Sequence, residues 1–252
     1  MTKESSHPNL PRTLLLLAWA LLLSIGLWGS WFLTGSLQFL SGTWGRMGSS
    51  ISLVALAILA IQQAPNDLKS YARFIAGGML LGAIGDFFNA DLLSFITTQG
   101  TIGAIVAFGI GHLLYMAAII GRLRACTPIN LRSTLLAITV WQLVGLLSWF
   151  VIVYHGQRAR ELVWPALGYC LLLAGTTGIA SALALRLNKT WLLAFGAALF
   201  LISDLLLAIG MFRGSYAFRS EAVWLTYGPG QMLIVSSCWL VSKIQEVNAV
   251  AK

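Results

Sequence analysis

Apolar residues in this chain occur in long unbroken runs, not in alternation with polar ones. Eight such runs, at about 12–33, 45–64, 70–93, 100–121, 132–154, 161–185, 189–212 and 221–243, each come close to the about 20 residues an α-helix needs to cross a bilayer core. Each run is apolar all round and lacks the period-2 pattern of a membrane β-barrel. The connections are short, rich in Gly, Ser, Thr, Asn and Arg, and too brief for a soluble domain. The pattern predicts an all-α membrane protein with eight transmembrane helices in one integral membrane domain, 1–252. The first run follows Lys3 and Arg12, as a secretory signal would. Its apolar stretch, 14–33, is longer than a signal's and has no clear small-x-small cleavage site, so it is read as a retained helix.

Composition narrows the function. Hydrophobic residues make up 58% of the chain and charged residues 10%, against about 25% charged in a soluble domain. Mean hydropathy is +0.82. These values exclude a soluble enzyme, a disordered chain and a free nucleic-acid-binding module. The net charge of +8 is therefore read as topology, not as a nucleic-acid partner. With a cytoplasmic N-terminus, Arg46, Arg158, Arg160, Arg213 and Arg219 fall outside and the other eleven Lys and Arg fall inside. Both termini are thus expected in the cytoplasm, in an inner or plasma membrane if the source is bacterial. Cys126, Cys170 and Cys238 form no CxxC, and His7, His112 and His155 are far apart, so no metal-ligand spacing is present along the chain.

The third and seventh runs resemble each other. Ala76, Gly78, Leu81, Ile84, Asp86 and Ala90 match Ala194, Gly196, Leu199, Ile202, Asp204 and Ala208 at a constant offset. The fourth and eighth runs align as well, setting Phe108-Gly109-Ile110-Gly111-His112 against Tyr227-Gly228-Pro229-Gly230-Gln231. This predicts a parallel repeat of two four-helix halves, 12–121 and 132–243.

The matching positions include the polar ones. Apart from Glu161 and Glu221 at the very start of their runs, only Asp86, Asp91 and Asp204 are acids within the runs, and an ionised Asp at the bilayer centre costs about 2.5–3.5 kcal/mol on insertion scales. Asp91 lies near a helix end and reads as a solvated boundary residue. Asp86 and Asp204 lie at similar depth in the outer half. His112, Gln231 and Tyr227 overlap that depth, Tyr115 follows His112 by three residues on the same face, and Asn89 follows Asp86 by three. These residues can converge on one cavity. Gly109, Gly111, Gly228 and Gly230 suit close helix packing, and Pro229 is expected to kink the eighth helix. Two neighbouring carboxyl groups can divide into a proton donor and a base. With no Ser in a GxSxG elbow, acid–base attack by water is favoured over an acyl-enzyme.

Gly85-Asp86, Gly111-His112-Leu113-Leu114-Tyr115, Phe200-Leu201-Ile202-Ser203-Asp204 and Tyr227 with Gln231, in this order, resemble the YhhN family of multi-pass membrane proteins. The Phe87-Phe88-Asn89-Ala90 stretch and Gly228-Pro229-Gly230 depart from the family's usual residues. The resemblance implies a lysoplasmalogenase: hydrolysis of the vinyl ether bond of a lysophospholipid to a fatty aldehyde and a glycerophospho-ethanolamine or -choline. On this reading Asp86, Asp204 and His112 are the catalytic residues, and the acid–base scheme requires no metal and no cofactor. Tyr115, Tyr227, Gln231 and Asn89 bind substrate, and the partners are membrane lipids. Two other readings compete: a transporter of a small or lipid-like solute, and a hydrolase of the same fold acting on another lipid. An intramembrane aspartyl protease fits less well, because Ala83-Ile84-Gly85-Asp86 lacks the first Gly of GxGD.

Overall fold

Uninterrupted apolar runs satisfy their own backbone only as helices, and the structure, a computed structural model, consists of helices joined by short turns over its described residues, which are 10–97, 99–125, 130–187 and 190–250. Lys3, His7, Cys126, Lys189 and Lys252 lie outside them. The helices are α1 (Leu10–Phe32), α2 (Gly35–Gln63), α3 (Lys69–Asn89), α4 (Gly100–Ala125), α5 (Leu131–Tyr154), α6 (Arg160–Ala184), α7 (Trp191–Arg213) and α8 (Arg219–Val250). Six of the eight are long and apolar enough to cross a membrane by length and composition. The chain is an integral membrane protein.

The two helices outside that set are α3 and α8. They are less apolar because they carry Asp86 on one and Tyr227 with Gln231 on the other, and all three side chains are buried against neighbouring helices. Most helix ends fall within a few residues of the predicted ones. The exceptions are α8, which runs on to Val250 instead of ending near residue 243, and α2, which starts at Gly35 instead of near residue 45. Its first turns, through a π-helical stretch Leu40–Trp44, pack on α1 through small residues. A Cβ at Gly26 would meet the Arg46 backbone N at 2.8 Å, and one at Gly45 would meet the Gly26 Cα at 2.7 Å. The small and polar residues that read as a loop are the ones that let the two helices touch. Asp91 is exposed just past α3, with a left-handed backbone (φ 58°). The eighth helix runs on through Pro229, whose missing N–H leaves the carbonyl one turn earlier without its helical donor.

The main helix pairs are α1 with α2, α3 with α4, α5 with α6 and α7 with α8. Contacts α2–α3, α4–α6, α6–α7 and α2–α8 join these pairs, so α1 and α5 lie at the periphery. One core, built around Leu56, Ile75, Met79, Ile119, Leu183, Leu193 and Val235, fills the middle of the bundle. A second, smaller and more aromatic cluster contains Phe108, Phe200 and Tyr227. Their rings meet edge to face at centroid distances of 5.2–6.0 Å, the geometry favoured by the aromatic quadrupole. This aromatic plug floors the candidate site.

Candidate active site

Asp86 sits one turn from the end of α3 and is 4% exposed. A carboxyl group this deep needs hydrogen-bond donors. Ser50 on α2 donates to its Oδ2 at 2.5 Å, and the Tyr227 hydroxyl on α8 donates to the same oxygen at 2.9 Å. The chain of donors continues along α8. Gln231 Nε2 donates to the Tyr227 oxygen at 3.2 Å, and the Tyr115 hydroxyl on α4 donates to Gln231 Oε1 at 2.7 Å. Four helices thus hold one carboxyl through a single directional network, which fixes its orientation. Glycine makes room for it: a Cβ at Gly82 would fall 2.7 Å from Gln231 Nε2.

Asp204 on α7 is half-buried. The Tyr169 hydroxyl on α6 donates to its Oδ2. Ser203 Oγ lies 3.3 Å from Asp204 Oδ1, but the serine's single proton has a closer acceptor in the Phe200 carbonyl at 2.7 Å. The two carboxyls line one polar cavity of about 330 Å³ with Asn89, Thr101, Phe108 and Tyr227, a size within the range of ligand pockets. A second, apolar cavity of about 80 Å³ runs on between α4, α5, α6 and α7, walled by Ala104, Leu162, Ala166, Leu173, Leu201 and Phe212. Asp204, Asn89, Thr101 and Phe108 belong to both walls, whereas Asp86 and Tyr227 line only the polar cavity and Tyr169 only the apolar one.

The structure therefore brings together Asp86, Asp204, Tyr227 and Asn89 on one open space. Tyr115 and Gln231 stand behind it, touching the site only through Tyr227. His112 stands apart from both cavity walls. Thr176 Oγ1 donates to the Leu172 carbonyl at 3.0 Å, so its 3.0 Å contact with His112 Nδ1 is an N–H donated by the ring. That leaves His112 Nε2 as a buried acceptor without a hydrogen-bond partner among the described residues. The ring packs on Phe200 with centroids 4.5 Å apart. Four groups escaped the sequence reading: Ser50, Tyr169, Arg46 and Arg219, the last two also on the polar cavity. Ser50 lies in the Ser-rich stretch of α2 (Ser49, Ser50, Ser52), and that hydroxyl cluster inside an otherwise apolar helix is the one sequence signal that could have found it. Among the described residues no three His, Cys, Asp or Glu side chains gather in a way that could hold a metal.

No solved structure matches the chain with significance. Two lysoplasmalogenases, from Mycobacterium bovis and Mycobacterium tuberculosis, are each 25% identical to it over 194 residues, covering 77% of this chain and 70% of theirs. The YhhN family model matches residues 46–238, a stretch that contains both aspartates, their donors and every residue of the network around them, and the chain belongs to that family.

Proposed function

We propose that this protein hydrolyses the vinyl ether bond of lysoplasmalogens, releasing a fatty aldehyde and a glycerophospho-ethanolamine or -choline. The observation that carries this reading is the position of Asp204 in the wall shared by an apolar and a polar cavity. A lysoplasmalogen changes from hydrocarbon to polar group at its vinyl ether. With the chain entering the apolar cavity and the glycerol in the polar one, the reacting carbons lie against Asp204, and Asp86 faces the glycerol side. The small apolar cavity takes the first part of the chain, and the rest runs out into lipid. The two mycobacterial relatives, named as lysoplasmalogenases, support the same chemistry.

The hydrogen bonds divide the roles. Asp86 Oδ2 takes two hydroxyl donors, an environment suited to a carboxylate. The Ser203 lone pair facing Asp204 Oδ1 suits a carboxylic O–H there. Asp204 gives its proton to the chain-side carbon of the double bond, leaving an oxocarbenium ion. Asp86 stabilises that charge and takes a proton from water as the water oxygen bonds to the cationic carbon. In the resulting hemiacetal, the bond to the glycerol oxygen breaks as Asp86 returns its proton to that oxygen. The hemiacetal hydroxyl gives its proton to Asp204, so both side chains regain their starting state. Tyr227 and Asn89 contact the glycerol, Tyr115 and Gln231 orient Tyr227, and His112 positions Phe200 beneath the site.

The same proposal includes the membrane arrangement: eight spans, both termini cytoplasmic, and the polar cavity opening on the opposite side. The halves are read as a parallel repeat. Ser50 on α2 donates to Asp86 on α3, and Tyr169, its counterpart on α6, donates to Asp204 on α7. The peripheral α1 and α5 also correspond.

The direct test is aldehyde release from a 1-alkenyl lysophospholipid by purified protein in detergent, beside the 1-acyl analogue and an EDTA control. Aldehyde and glycerophospho-base in equal amounts, with the acyl lipid left intact, is the expected result. Fatty acid from the acyl lipid without aldehyde would make it a hydrolase of another lipid. No turnover of either lipid would shift the weight to a flux assay in liposomes. Tyr169→Phe and Tyr227→Phe should each slow aldehyde release about 10- to 100-fold, the worth of a hydrogen bond to a carboxyl that is charged at Asp86 and becomes charged at Asp204 as it gives up its proton. Tyr227→Phe, which leaves the buried Gln231 Nε2 without its acceptor, should also lose about 1–3 kcal/mol of stability.

A further inference from the structure

We infer that Arg46 and Arg219 form an anion subsite that holds the phosphate of a lysophospholipid headgroup, an assignment that rests on the hydrolase reading above. Both arginines line the polar cavity with Asp86, Asp204 and Tyr227. Their guanidinium groups have donors to spare. Arg46 Nη1 donates to Ser220 Oγ at 2.5 Å, and its Nη2 forms an ion pair with Glu221 Oε1 at 3.6 Å, too long for a hydrogen bond, which offsets part of its charge. Its Nε and Nη2 are buried with no hydrogen-bond partner. Arg219 makes no hydrogen bond or ion pair among the described residues. A buried guanidinium with unmet N–H groups is costly, and a phosphate offers the planar fork its matching pair of oxygens.

The spacing fits the ligand. The guanidinium of Arg219 lies over Gly210, where a Cβ would stand 2.8 Å from its Nη1. Gly210 is six residues beyond Asp204 on α7, about 9 Å along the axis at 1.5 Å per residue. In a lysoplasmalogen seven bonds lead from the carbon that Asp204 protonates, through the ether oxygen, the three glycerol carbons and one ester oxygen, to phosphorus, a comparable span when extended. Asp204 at the bond to be cleaved and the arginines at the mouth thus bracket one glycerophosphate. Any phosphate ester anion, bound to lipid or free, has the same chemistry at the arginines. The chain in the adjoining apolar cavity selects the lipid.

The test measures binding without turnover. A saturated 1-O-alkyl glycerophosphocholine, which has no double bond to protonate, is titrated into wild type and into Arg219→Gln, beside 1-O-alkylglycerol of the same chain. Wild type should bind the phosphate-bearing lipid about 10- to 100-fold more tightly than the alcohol, and Arg219→Gln should narrow that ratio by about tenfold or more. Arg46→Lys, which keeps the charge but loses the fork, should narrow it less. Arg46 also bonds α8, so the Arg219 variant, which breaks no described hydrogen bond or ion pair, is decisive. An unchanged ratio in folded Arg219→Gln, or equal losses for both lipids, would overturn the subsite. Displacement of the alkyl lipid by inorganic phosphate at similar concentration would assign the arginines to a free anion instead. Aldehyde release by wild type is scored separately, so either reading can fail while the other stands.

Discussion

Asp204→Asn protein, inserted and folded as the wild type is, should release aldehyde from a lysoplasmalogen about 10²- to 10⁴-fold more slowly, and Asp86→Asn should do the same. Asparagine keeps the shape and most of the hydrogen bonds. Its amide oxygen can accept from Tyr169 at position 204, or from Ser50 and Tyr227 at position 86. What it cannot do is deliver a proton to carbon or take one from water. The deficit therefore isolates the chemistry from the architecture, provided thermal unfolding in detergent stays close to wild type. An isotopic check identifies the step itself. In D₂O the product aldehyde should carry one deuterium on the carbon beside the carbonyl, since protonation there is what opens the vinyl ether. Aldehyde without that deuterium, or folded Asn variants with wild-type rates, would remove both carboxyls from the mechanism.

Gly196→Leu and Gly230→Leu should each lower stability by about 3 kcal/mol, at the upper end of the usual cost of overpacking. Here α7 and α8 meet backbone to backbone. A Cβ at Gly196 would lie 2.8 Å from the Gly230 carbonyl oxygen, and a Cβ at Gly230 would lie 2.9 Å from the Gly196 carbonyl oxygen. No side chain stands between them to rotate away, so the helices themselves must part, and with them Asp204 on one and Tyr227 on the other. Small residues at such crossings are what let membrane helices associate without a hydrophobic driving force. Gly168→Leu is the contrast, because nothing lies within 4 Å of a Cβ there. Its melting temperature should equal wild type's while those of the other two fall. Equal behaviour of all three variants would mean the α7–α8 crossing tolerates a wider spacing.

Helix number and the two aspartates were legible in the sequence for one reason each. An apolar run long enough to span a bilayer has few alternatives to a helix, and a carboxyl within such a run stands out because it is costly. Tyr227 and Gln231 were found through their alignment with Phe108 and His112, and in the structure Tyr227 donates to Asp86 while Gln231 acts through Tyr227. Ser50 and Tyr169 were missed because a hydroxyl in an apolar helix is ordinary until one knows that α2 lies beside α3 and α6 beside α7. His112 was placed with the reacting groups by its depth, and Tyr115 was placed in the substrate site by its spacing from His112. Depth carries no azimuth, and the two rings turn toward Thr176 and Gln231. Arg46 and Arg219 were counted as topology charges. Loop and cavity mouth share the same level of the bundle, so a charge count alone does not separate a membrane anchor from a ligand contact.

Under the proposed hydrolysis, the shared wall at Asp204 would also decide where the two halves of the cleaved molecule go. Once the glycerol oxygen departed, the aldehyde would sit in the apolar cavity and the phosphate ester in the polar one, both of which Asp204 lines. Each then leaves into the phase in which it dissolves. The products part by solubility, so recombination would need both to return from different solvents. A protein built on this plan works as a one-way valve between a membrane lipid and the water beside it, and its rate should respond to how fast the surrounding bilayer absorbs aldehyde.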